Sequence, residues 1–297
     1  MAYRAVDSAG RQVVLRFLPA DPGIVAIFRR DMALARRVRH PNLLPIYDFS
    51  VKGRPYLVTP LIDGVDLGSL LADGPLAPEL AVGIVSQVAA ALDALHRGKL
   101  VLRNVKPANI LVEEGPRGPH VWLIDWSLAW QGAPEVLAGT ADYLAPELLT
   151  GAAADGRADV YSLAMVLYEL LAGHRPFLGD VVRPALAGPS PSPPALGDVV
   201  RQGLEWDPDR RYSSAGDLAS AARAALDGMR DEVNAIGTRR KRRWSSLWAG
   251  FAAALVPWPS SIQATSASPA AERIGERLWF AYHDLGPPEP ASSEDVQ

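Results

Sequence analysis

Polar and apolar residues alternate over residues 2–6 and 12–18, and the two runs flank "DSAG", a turn with glycine placed for positive φ, so the pattern predicts a β-hairpin. After "ADPG" the period changes. Ile24, Phe28, Ala35 and Val38 are spaced for one buried face with arginines on the other, which predicts a helix over about 23–38. Two further strands are expected in "LLPIYDFS" and "PYLVTPLI", separated by "VKGR". The first 62 residues therefore read as a small sheet carrying one helix. From residue 63 the character shifts. "LAPELAVGIVSQVAAALDALHRG" and "DVYSLAMVLYELLAG" are long, apolar and poor in glycine and proline, as buried helices are. A Pro/Ser-rich loop at 187–197 precedes two shorter helical patterns that end near Met229. The expectation is an α+β domain over 1–229, with a sheet-plus-helix lobe at 1–62 and a helical lobe at 63–229, followed by a tail at 230–297.

With 297 residues the chain can bury a core of ordinary size. It has no cysteine, which removes disulfides, thiolate chemistry and Cys-based zinc sites, and fits a reducing compartment; cytoplasm is expected. The net charge of −3 argues against general nucleic-acid affinity. "RRKRR" at 239–243 is nevertheless a basic run, and it leads into a stretch with Trp244, Trp248 and Trp258. The apolar core from Leu247 to Trp258 would span only about 18 Å as helix against a hydrocarbon layer of about 30 Å. Segment 239–258 thus reads as a helix lying on an anionic membrane surface at the inner face, or docked on the domain or a partner.

The chemistry concentrates in "VLRNVKPANILVEE" at 101–114 and in the order of the segments around it. "VVLR" at 13–16 comes first, then "FRRDMALARRVRHPNLLPIYD", "RNVKPANIL", "IDWSLA", "GTADYLAPE", "ADVYSLAMVLYELLAGHRPF" and "DPDRRY". From residue 2 to about 226, this series resembles the bacterial Hanks-type serine/threonine protein kinases, in a degenerate form. The resemblance implies a two-lobed fold, MgATP as cofactor, and a role for each matching position. Phosphoryl transfer needs a phosphate cradle, a cation, metal ligands and a carboxylate near the attacking hydroxyl.

By that resemblance Arg16 stands for the phosphate-binding lysine and Asp31 for its glutamate partner on the helix, and a bridge between the two is expected. Pro60 and Ile62 would offer hinge backbone groups to an adenine, under Val14 in place of a smaller alanine. Asn104 stands where the family has its catalytic Asp, Lys106 keeps the loop lysine, and Asn109 and Asp125 keep the two positions that hold Mg. Leu102 replaces the histidine of that loop, and Trp126 and Ser127 replace the Phe and Gly after the metal-binding Asp. Glu147 and Arg211 resemble the buried ion pair under the activation segment, and Asp159 the helix carboxylate that holds the catalytic loop. "MAYRAVD" resembles the second strand of the family, so the Gly-rich loop is expected to be missing.

An amide cannot accept the hydroxyl proton at neutral pH, and losing a positioned base costs about 10² to 10⁴ in rate. Two readings of Lys106, Asn109 and Asp125 stay open: a weak nucleotide site, or a polar network that holds loops together. His40 and Thr140 read more simply as loop residues. The resemblance as a whole implies a pseudokinase, a scaffold or allosteric partner of another protein such as an active kinase, with ATP and Mg not required; the alternative is a weakly active kinase.

Overall fold

The computed structural model describes residues 2–35, 37–116, 118–126, 141–176 and 194–231. Ser127, Thr140 and the segment 239–258 lie outside the described residues. By its contacts the chain divides into two units, Met1–Thr238 and Arg239–Gln297.

Strands β1 (Ala2–Val6), β2 (Gln12–Phe17), β3 (Asp48–Ser50) and β4 (Tyr56–Pro60) form an antiparallel sheet in the order β1-β2-β4-β3. The β1–β2 turn is closed by Asp7, whose carboxylate accepts the Ala9 and Arg11 N–H groups at 2.9 Å each, and Gly10 supplies φ +78°. Helix α1 (Pro22–Ala35) lays Phe28, Met32 and Ala35 on the sheet, with Phe28 edge-on to Phe49 at 5.7 Å. It stops one turn short of the expected end. The N–H groups of Arg37 and Val38 bond to Leu34 and Ala35, three residues back, so the last turn tightens and the α-ladder ceases.

The strand expected over 43–50 is also shorter, and its first half does something else. Pro45 has no N–H to give a ladder. Ahead of it Leu44 donates to the Leu123 carbonyl at 3.1 Å, and Leu123 donates to Asn42 at 2.8 Å, which ties this segment to the other lobe.

The second lobe holds a small sheet, which the periodicity had not suggested, of β5 (Val65–Asp66), β6 (Ile110–Glu113) and β7 (His120–Leu123) in that order. Its helices are α2 (Leu67–Leu71), α3 (Pro78–Arg97), α4 (Pro146–Leu149), α5 (Gly156–Ala172), α6 (Pro194–Gly203) and α7 at 215–231. Asp155 caps α5 by accepting the Arg157 N–H, and Gly173 ends it at φ +75°. Thirteen of the 17 residues of α5 are buried, so this helix is the axis of the lobe. Helix α6 crosses it closely because Gly203 has no side chain: a Cβ there would stand 2.5 Å from that of Ala164. Helix α3 is long and apolar enough to cross a membrane by composition alone, but eleven of its residues are buried and it packs on α5 and β7, as a core helix does.

Candidate active site

The strand β2, the end of β4 and the residues after β7 converge on one cleft between the lobes. Val14 and Arg16 come from β2, Pro60 and Ile62 from the connection between lobes, and Asp125 and Trp126 from the turn after β7. Its volume is about 120 Å³. Across it Arg16 Nη1 lies 2.5 Å from Asp125 Oδ1, with the two side chains 33% and 22% exposed. Asp125 holds φ +56°, a left-handed conformation that aspartate tolerates better than most residues and that costs strain all the same. Trp126 is buried, and its indole N–H donates to the Leu44 carbonyl at 2.8 Å, so the tied-down segment of the small lobe also anchors this turn.

The expected Arg16–Asp31 bridge is not formed. Asp31 is 2% exposed and takes its hydrogen bonds from its own neighbour, Arg30 Nη2 at 3.1 Å and Nε at 3.2 Å. Aspartate is one methylene shorter than glutamate and stays close to its own helix. The longer arginine reaches past it to the carboxylate of the other lobe. Burial pushes the Asp31 carboxyl above its ordinary range, while Arg30 and, further off, Arg103 pull it back. Its Oδ2 is buried without a partner among the described residues.

The catalytic-loop segment is held from below. Asp159 on α5 accepts the Leu102 N–H at 2.8 Å and the Arg103 N–H at 2.6 Å, and lies 2.7 Å from His96 Nε2. Arg103 turns there through φ +60°. Lys106 precedes a 3₁₀ turn, Pro107–Asn109, that aims Asn109 back: its Nδ2 donates to the Asn104 carbonyl at 2.9 Å. Asn104 Oδ1 is buried with no hydrogen bond among the described residues.

Beneath it, Arg211 makes a bidentate pair with Glu147 at 2.8 Å for each arm and donates to the carbonyls of Arg157, Glu205 and Trp206, its side chain fully buried. Its guanidinium also sits 5.0 Å from the centre of the Tyr161 ring.

Residues 7–219 match the protein kinase domain family. The chain belongs to that family. Serine/threonine-protein kinase PknH of Mycobacterium bovis is 36% identical over 279 residues, which cover 87% of this chain and 46% of that protein. PknE of Mycobacterium tuberculosis is 36% identical over 249 residues, 75% of this chain and 43% of its own length. The chain thus spans under half the length of these curated relatives. Among solved structures, the Mycobacterium tuberculosis PknI kinase domain superposes with a TM-score of 0.63 at 28% identity, covering 75% of this chain and 89% of that one. The two-lobed kinase fold, with a sheet-bearing small lobe and a helical large one, follows from these matches and from the elements above.

Three pairings around this kinase-like cleft are not fixed by the sequence pattern: Arg103 near Asp31, His96 on Asp159, and the Leu44 carbonyl on Trp126. Each is a pairing across 63 or more residues. Only the arginine could have been suspected, from its place beside Asn104 in the catalytic-loop motif.

Proposed function

We propose that this domain is a pseudokinase that works by binding, as a scaffold or allosteric partner of another protein. The observation that carries the reading is Asn104 at the position of the catalytic base. An amide neither accepts the substrate proton nor repels a second negative charge, and a lost base alone removes about 10² to 10⁴ in rate.

The cleft supports the same reading. The family implies MgATP, and the residues fit it poorly: the cation expected on the phosphates and the carboxylate expected on the metal neutralise each other at 2.5 Å. A volume of about 120 Å³ is also small beside the ~300–1,000 Å³ of ordinary ligand pockets. Asn109 and Asp125, both retained, favour the second reading, a weakly active kinase, to the extent that they could still hold a metal. The pseudokinase reading places the chain in the cytoplasm with a protein partner. Contact of 239–258 with an anionic membrane is a separate proposal, resting on composition alone.

Thermal unfolding with MgATP tests the cofactor half of this reading. A dissociation constant no tighter than about 100 μM, worth about 5.5 kcal/mol, is expected. At that concentration binding adds about 0.4 kcal/mol, a rise of about 1–2 °C in Tm. A rise of more than about 5 °C at 10 μM MgATP would contradict it.

A further inference from the structure

A second groove opens between the end of α1, the 38–47 connection and β7, and at about 660 Å³ it is more than five times the volume of the interlobe cleft. Val38, Ile46 and Trp122 form apolar walls, and Arg39, His40 and Tyr47 stand at its rim. His40 Nδ1 accepts the Asn42 N–H at 3.2 Å, which leaves Nε2 to carry the ring proton as a donor. Arg37, Arg39 and Arg97 are exposed, Arg97 acts on His40, and none of the three has a carboxylate partner among the described residues. Tyr47 is 41% exposed and carries the Arg11 guanidinium 4.4 Å above its ring.

The field extends beyond the groove. Residues 1–62 contain ten Lys and Arg against four Asp, a local charge of +6 in a chain whose total is −3. An aliphatic and aromatic trough within a basic surface selects a ligand with both characters. A symmetric pairing of two copies through this face would set arginine against arginine, so like charge disfavours a second copy. A nucleic acid would satisfy the arginines and leave the aliphatic walls of Val38 and Ile46 without a counterpart.

We propose that this groove docks an acidic segment of a partner protein, which seats an aromatic or branched aliphatic side chain against Val38, Ile46 and Trp122 and sets carboxylates on Arg37, Arg39 and Arg97. This names the chemistry of the partner and rests on the reading of the domain as a binding module. The two fail separately. Phosphotransfer by the chain would sink that reading without touching the groove, and a groove that binds nothing would leave the catalytic loop without its base.

The test is a fluorescence-anisotropy titration of the full chain with a fluorescein-labelled dodecapeptide of Glu and Asp that carries one Trp and one Leu four residues apart. At low salt it should bind saturably, at least tenfold tighter than the same peptide with both anchors changed to Ala. Arg39→Glu and Arg97→Glu, both exposed and expected to leave Tm unchanged, should each weaken binding about tenfold, whereas Arg201→Glu on α6 should not. Equal binding of the anchor-free peptide, an unchanged Kd in Arg39→Glu, or an equal loss in Arg201→Glu would overturn the proposal. So would a single-stranded oligonucleotide that binds as tightly in the same titration. Self-association of the chain that Arg39→Glu abolishes would name a second copy as the occupant, and would overturn it as well.

Discussion

Cutting the Arg16–Asp125 pair should loosen the contact between the two lobes rather than abolish a reaction, and the structure sets its size. Two unit charges 4 Å apart attract by about 4 kcal/mol at an effective dielectric constant of 20. The two side chains keep between a fifth and a third of their exposure, so water screens them and ordering the long arginine offsets part of the gain. A net coupling of about 1–2 kcal/mol is expected for a short, charge-assisted pair of this kind. Arg16→Met with Asp125→Asn makes a suitable double-mutant cycle, because asparagine tolerates the left-handed backbone at 125 and alanine would add strain of its own. Urea unfolding followed by tryptophan fluorescence reads each corner, and the coupling should fall when salt is raised to about 1 M, where the screening length is about 3 Å. A coupling below about 0.3 kcal/mol would mean that the pair does not hold the lobes. A parallel cycle on Arg16 and Asp31 should give coupling near zero, since Asp31 is committed to Arg30.

Two further outcomes follow from buried charge. Arg211→Ala should cost about 3–5 kcal/mol in urea unfolding, because it strands Glu147 and three carbonyls at once, and Arg211→Lys should recover only part, since an ammonium cannot span that set of acceptors. Asp31→Asn should raise Tm at pH 7, with the gap over the wild type closing as pH falls through the raised folded value of Asp31 towards the ordinary value of 3.8. The sign follows from the direction of the shift: the fold holds the proton of Asp31 more tightly than the unfolded chain does, so the group favours folding at low pH and opposes it once ionised. A gap that widens on acidification would refute the assignment.

The sheet-plus-helix and helical halves were legible because their periods differ, two against 3.6, and because α5 is apolar all round. Boundaries failed where tertiary bonding overrode pattern. Leu43 and Leu44 read as strand, but Pro45 breaks that ladder and their backbone joins Leu123 in the other lobe. The site residues were legible as positions within a motif. Their pairing was not. Arg16, Asp31 and Asp125 are one cation and two carboxylates, and sequence spacing cannot say which carboxylate the cation takes; that depends on a methylene and on the lobes' approach. Asp159 and Arg211 were easier, since the resemblance gives each a role as a buried charge, and burial demands the partners found for them.

The central claim, that the domain binds rather than catalyses, is tested most directly by incubating the full chain with labelled ATP, Mg²⁺ and a generic Ser/Thr substrate, beside Asp125→Ala as the blank. The account predicts incorporation no greater than the blank for the wild type and for Asn104→Asp alike, since restoring a base leaves Arg16 on Asp125. Transfer by the wild-type chain, on itself or on the substrate, that Asp125→Ala abolishes would contradict it.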